Sequence, residues 1–440
     1  MTTQTLPPLT APTRRSLDHL PVAIIGAGPV GLAAAAQLLE RDISVVVIEA
    51  GPQAGTAVSA WGHTRLFSPW EFLIDAAAAR LLATSKWIEP KADRIPYGRD
   101  LVADYLLPLA ATPELEPHIR YGVTVTDVTR QGMDRTRSIG RSRRPFVLRS
   151  TSDGETTELL ARAVIDTSGS YTTPNGLTSS GLAPAHAGAT SDNITHALPD
   201  VLGSDRARFA GKHTLVVGAG HSAANTLIKL AALAREEPGT TITWVIRSAS
   251  PIRVYGSAAD ELEGRGQLGS VLHGLVKDGH IALVDRFEID DVEPAVPNRI
   301  TLTGRRRETV SRIEGDVVVN ATGFRPDTTM LREIRVSLDD IVEAPRALAP
   351  LIDPNLHSCG SVPPHGVAEL AHPEPNFYIA GMKSYGRAPT FLLATGYEQV
   401  RSIADELAGN PAAARLVQLV LPETGVCSTD TDTTTSCCCS

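Results

Sequence analysis

The sequence is poor in the features that would send a chain out of the cell, into a bilayer or onto nucleic acid. Cysteine occurs only five times in 440 residues: once in the body, at Cys359, and then at Cys427, Cys437, Cys438 and Cys439. That crowding at one end is not the spaced disulfide framework of a secreted domain. No apolar run reaches the ~20 residues needed to cross a bilayer. Residues 1–19 hold Pro7, Pro8, Pro12, Arg14 and Arg15 but no apolar stretch of signal-peptide type. They read as a flexible N-terminal arm on a cytoplasmic protein. Positive charge is not in excess either. The formal net charge of −8 argues against nonspecific nucleic-acid binding, so neither nucleic acid nor membrane is expected as a partner. Aromatic residues are scarce at 5%, but 42% hydrophobic and 20% charged residues make an ordinary globular composition. The length allows two or three domains with a large core.

What is present is a glycine pattern that occurs twice. Val22–Ile25 reads as a short buried strand running into Gly26, Gly28, Pro29 and Gly31, then an alanine-rich helix over 32–39 and a second strand over 44–48. Gly26 permits the tight turn, Gly28 lets the backbone approach a pyrophosphate, and Gly31 lets the helix lie close to the strand. The helix N-terminus offers unpaired N–H groups and partial positive charge to the phosphates. Glu49 ends the second strand, where a carboxylate can accept from ribose hydroxyls.

The second copy runs from a strand over 214–217 through Gly218, Gly220, His221, Ser222 and Ala223 into a helix over 224–232. Ala223 stands at the third glycine position. The following strand, 241–246, ends in Arg247 rather than an acid. An Arg pairs with a 2′-phosphate that a carboxylate would repel, which predicts NADPH over NADH. The other reading of Arg247 is a solvated strand-end residue. Two units imply two dinucleotides, FAD in the acid-tipped unit and NADPH in the Arg-tipped one.

Two further apolar strands end in small polar–glycine turns, at Ser168–Gly169 and at Thr322–Gly323. With the two glycine patterns they make residues 20–425 resemble the flavin-containing monooxygenase superfamily and the glutathione-reductase-like flavoproteins. The resemblance implies an α/β fold with two Rossmann-like domains, the NADPH domain inserted into the FAD domain. The expected divisions are an FAD-binding part at 20–196, an NADPH-binding domain at 197–325, a second FAD-binding part at 326–421 and a Cys-rich tail at 422–440. It also implies a flavin wall near Trp61 and Arg65, from the string Arg65-Leu-Phe67-Ser68. The Asn that follows in the family, and supports oxygen chemistry there, is replaced by Pro69-Trp70. A fingerprint histidine is matched by His196 without the family's upstream glycine, and the alternative for His196 is a linker residue at the domain junction. The C-terminal FAD segment is matched by Gly381, Met382, Lys383 and Thr390. Lys383, Tyr385 and Arg387 belong either to the flavin's reactive face or to a surface loop.

Local strings at 351–360, 381–390 and 422–427 resemble the flavin-binding monooxygenase-like proteins of bacterial arsenic-resistance operons. That implies a role in metalloid metabolism. Cys427, Cys437, Cys438 and Cys439 are soft ligands suited to a trivalent metalloid. A redox relay and a low-complexity end without function remain the alternatives. Cys359 with His357, His365 and His372 matches no strong zinc spacing.

The expected activity is an NADPH-consuming flavin monooxygenase acting with molecular oxygen on a small N, S or As nucleophile. In such an enzyme the cofactors carry the chemistry, consistent with the lack of a paired acid and base. Arg65, His196 and Lys383 are the candidate catalytic residues. A flavoprotein reductase without oxygenation and a metalloid carrier or sensor are the competing readings. The sequence leaves the oligomeric state open, a homodimer included.

Overall fold

The structure, a computed structural model, describes residues 17–255, 263–296, 298–354, 362–388 and 391–419. Two parallel five-stranded sheets form the framework. The first has the strand order Phe377–Ile379, Ala163–Asp166, Val22–Ile25, Val45–Ile48 and Ile119–Arg120. Val22 is aligned with Val45 on one side and Ala163 on the other. The three central strands are buried along their whole length. That is why they read as continuous apolar runs rather than alternating ones.

Successive side chains of these strands go to different cores, as the period of two requires. Val22, Ile24, Val45 and Val47 face a core under the helices Pro29–Leu39 and Leu393–Leu407, which lie against each other. Ala23, Ile25, Val46 and Ile48 face the other way. There an antiparallel sheet of Thr124–Arg130, Phe146–Ser152 and Glu155–Ala161 covers them, contributing Val128, Phe146 and Leu148.

The second sheet repeats the plan. Its order is Ala282–Val284, Thr241–Val245, His213–Val217, Val317–Asn320 and Ile194–Thr195. Val216, Trp244, Val317 and Val319 meet the helix His221–Glu236. Leu215, Val217, Val245 and Val318 meet an antiparallel sheet of Phe287–Ala295, Arg299–Arg306 and Thr309–Gly315. All strands of the second sheet fall between Asp166 and Phe377 of the first, so one unit is inserted in the other. The strand Ile194–Thr195 pairs with Val318–Val319 in the second sheet, just ahead of the division expected at 197.

The chain crosses between units twice, and the crossings pair with each other. Pro174 and Phe324 form an antiparallel bridge. The Asn175 N–H donates to Gly323 O at 2.9 Å, and the Arg325 N–H to Thr173 O at 3.0 Å. Among the described residues no helix is long and apolar enough to cross a membrane.

Candidate dinucleotide-binding site

One continuous cavity of about 2270 Å³ runs along both glycine turns. A single small-molecule site usually needs roughly 300–1,000 Å³. Gly26, Gly28, Pro29 and Glu49 line it from the first unit, and Gly218, Gly220, His221, Ser222 and Arg247 from the second. Ser168, Gly169, Thr322, Gly323, Gly381, Met382 and Lys383 close the wall between them, together with Trp61.

The turns fit an anionic dinucleotide. Gly28 and Gly220 cap their helices with extended backbone and no side-chain cap. The first-turn N–H groups therefore lack a side-chain acceptor, the arrangement that receives phosphate oxygens. A Cβ at Gly28 or Gly220 would meet no protein atom within 4 Å, so both turns face open cavity. Gly26 and Gly218 have φ of +101° and +128°, which favours glycine. Gly31 does not line the cavity. A Cβ there would lie 1.9 Å from Gly26 O, so its role is close packing of helix on turn. Ala223 is likewise buried in the core rather than on the wall.

Glu49 and Arg247 differ in how they are held. The Glu49 carboxylate braces its own turn, accepting from the Ala27 N–H at 2.7 Å and the Gly51 N–H at 2.8 Å. Arg247 is exposed to the cavity and, among the described residues, donates a long bond, 3.4 Å, to Ser179 O. Ser179, Ser180, Ser248 and Ser250 line the same stretch.

Lys383 is neither a surface-loop residue nor a free cation. It is 1% exposed, and its Nζ donates to Asp166 Oδ2 at 2.7 Å and to Ser168 Oγ at 3.0 Å. Asp166 Oδ1 in turn accepts from the Ser168 N–H and Oγ. Asp327, also on the wall, is held below the usual carboxylate range by bonds from Thr329, with Lys383 contributing. The sequence carried a signal for this pair. An Asp ending a buried strand needs a buried partner of opposite charge.

Sequence reasoning missed a second buried group. Gln399 Oε1 accepts the Gly381 N–H at 2.8 Å, and its Nε2 donates to Ser384 Oγ and His365 Nε2 at 2.9 Å each. His365 Nδ1 pairs with Pro363 O at 3.0 Å. A neutral ring with its proton on Nδ1 satisfies both contacts, and burial lowers the His365 pKa accordingly. This network fixes Gly381 on the cavity wall. It was illegible because its members are 15 to 34 residues apart and none belongs to a known spacing.

Two expected catalytic residues are not brought to the cavity. His196 is exposed beyond the edge strand Ile194–Thr195, and Arg65 points outward from a bridge with Tyr97. Neither lines the wall. The correction has a common cause: both lie in segments whose neighbours, Trp61 and Leu66 or Ala197, turn inward instead. Thr390, His357 and all five cysteines, including Cys427, Cys437, Cys438 and Cys439, lie outside the described residues. Among the described residues no cluster of His, Cys, Asp or Glu could hold a metal ion.

The family model described as pyridine nucleotide-disulphide oxidoreductase matches residues 23–346. No curated protein matches in sequence. Among solved structures, the bacillithiol disulfide reductase of Bacillus cereus is similar at a TM-score of 0.66 and 19% identity, over 89% of this chain and 99% of that one. The FAD-bound cadaverine monooxygenase of desferrioxamine biosynthesis from Erwinia amylovora gives 0.61 and 15%, over 92% and 98%. The ornithine N-hydroxylase of Kutzneria sp. 744, solved with reduced FAD and NADP+, gives 0.56 and 14%, over 89% and 99%. At these identities the likeness is one of fold. The chain belongs to the pyridine nucleotide-disulphide oxidoreductases and is an oxidoreductase with their two-domain FAD/NAD(P)-binding fold.

Proposed function

We propose that this oxidoreductase binds FAD in the unit built from residues 20–196 and 326–421 and NADPH in the inserted unit, and that it is a monooxygenase acting on a small nucleophilic substrate. One observation carries the reading. A single cavity joins both glycine turns, while the sequence has no pair of cysteines at C-x-x-C or C-x-x-x-x-C spacing. Disulfide reductases of this fold usually keep such a dithiol beside the flavin. Without one, reducing equivalents pass from the flavin to a diffusible acceptor, for which molecular oxygen with a small N, S or As nucleophile is the fitting pair.

When bound, FAD supplies hydride acceptance and electron transfer to that acceptor. The residues of this chain bind and orient. Gly26, Gly28 and the Pro29–Leu39 helix N-terminus receive the flavin dinucleotide's phosphates, and Glu49 faces its ribose. Gly381, fixed by Gln399, and Ser168, fixed by Lys383, shape the wall beside it. Gly220, His221 and Ser222 receive the nicotinamide dinucleotide, with Arg247 at its 2′-phosphate. A trivalent arsenical is included among the substrates on account of the strings that resemble the flavoproteins of arsenic-resistance operons, with the four C-terminal thiols to scavenge or deliver it.

The test is NADPH oxidation by the FAD-loaded protein under air, with amines, sulfides and trivalent arsenicals, following product and peroxide. Oxygenated product formed in step with NADPH supports the reading. Oxidation that gives only peroxide, or that requires a disulfide acceptor, favours the reductase. Equal turnover and arsenite binding after removal of residues 427–440 would rule out the tail.

A further inference from the structure

The loop Trp61–Phe67 touches both units. Trp61 and Leu66 line the cavity on the flavin side. Between and beside them, two residues reach the helix His221–Glu236 of the other unit. Phe67 meets the His221 ring edge-on, with centroids 5.1 Å apart at 61°. His63 O accepts from Lys229 Nζ at 3.1 Å. His221 is the first residue of that helix, directly after the second glycine turn.

The spacing matters. Residues eight apart share one side of a helix and are separated by about 12 Å along its axis, at ~1.5 Å per residue. A single contact leaves a helix free to pivot, whereas two contacts that far apart set the direction of its axis. The same loop also reaches Pro199 of the second unit through the His63 ring, and the units are joined as well by two crossings that pair with each other. Domains linked in that way move relative to one another by default.

We propose that Phe67 and the Lys229–His63 bond form a two-point strap that aligns the second unit's helix, and with it a bound nicotinamide dinucleotide, against the flavin wall. Phe67 is then a positioning residue. It does not line the cavity, but it fixes the start of the helix that carries the nucleotide. This rests on the reading that the second glycine turn holds NADPH. Nucleotide affinity resides in the second unit, and the strap governs how the nicotinamide meets the flavin. A misplacement of about 1 Å in such an arrangement costs on the order of a hundredfold in rate.

The experiment compares FAD-loaded wild type with F67A, F67Y and K229A. Three quantities are measured: NADP+ affinity by calorimetry, the NADP+-induced change in oxidised-flavin absorbance, and the rate of flavin reduction by saturating NADPH. F67A should keep NADP+ affinity within about twofold, lose most of the absorbance change and reduce at least tenfold more slowly, with dithionite still reducing all of its flavin. F67Y keeps the ring edge and should behave as wild type. K229A should show a loss in the same direction, and F67A/K229A should be no worse than F67A, because either change frees the same pivot. An unchanged absorbance response and rate in F67A would overturn the strap, as would a loss confined to affinity. Wild type that fails to bind NADP+ would instead overturn the placement of the nucleotide.

Discussion

In the first unit the strand Ala163–Asp166 ends in a carboxylate; in the second, Val317–Asn320 ends in an amide. The turns that follow are alike. Asp166 Oδ1 accepts from the Ser168 N–H at 3.1 Å and Oγ at 2.7 Å, and Asn320 Oδ1 from the Thr322 N–H at 3.3 Å and Oγ1 at 2.7 Å. The remaining atom of each side chain is satisfied differently. Asp166 Oδ2 takes the Lys383 ammonium, whereas Asn320 Nδ2 donates to Asn175 O at 2.8 Å. A charge in this buried position requires a counter-charge from far along the chain, and an amide requires only a carbonyl from the neighbouring crossing. The first unit is thereby tied to its C-terminal segment, and the second to the hinge.

The largest test of that contrast is Lys383→Met. It strands a buried carboxylate and should lower stability by ~3–5 kcal/mol, read from denaturant midpoints. The double variant D166N/K383M, which makes the first unit resemble the second, should regain most of that loss. If K383M alone melts like wild type, the pair does not hold the wall.

Acid should act next, through the first unit. Burial holds His372 at a pKa of about 4. Its Nδ1 accepts the Ser337 N–H, and Nε2 has no partner among the described residues. The unfolded chain takes up a proton near pH 6.5 that the folded one refuses until about pH 4. Stability is therefore full above 6.5 and falls on acidification through that window, by up to ~3 kcal/mol. H372F should flatten this limb of a pH–stability profile, and an unaltered slope would place the acid sensitivity elsewhere.

The third glycine position separates the units more gently. Gly31→Ala drives a Cβ into Gly26 O and should cost ~1–3 kcal/mol with loss of bound flavin. Ala223→Gly, the converse change in the second unit, should cost no more than ~1 kcal/mol. Flavin content and melting temperature read both. The smallest effect concerns the strand-end residues. Arg247→Ala should cut the preference for NADPH over NADH about tenfold, as loss of one charge-assisted phosphate contact implies. An unchanged ratio of kcat/KM values would return Arg247 to a solvated strand end.

Much of the frame was legible because its determinants are local. A strand, a glycine turn and a helix occupy some twenty consecutive residues, and each glycine has a steric reason that spacing alone reveals. The same holds for the two Ser/Thr–Gly turns and for the contrast between Glu49 and Arg247. Residues expected by motif position alone fared differently. His196 and Arg65 lie in irregular segments, where no period of two or 3.6 dictates which side chain turns inward, and both face outward.

By itself, then, the sequence determined two dinucleotide units, their order, and the turns that face the cavity. Tertiary structure alone decided that Lys383 is spent on Asp166, that Gln399 holds Gly381, and that Phe67 leaves the flavin wall for His221. Each of these joins residues 18 to more than 200 positions apart. Such pairings depend on which surfaces the folded sheets and helices bring together, and no local pattern records that.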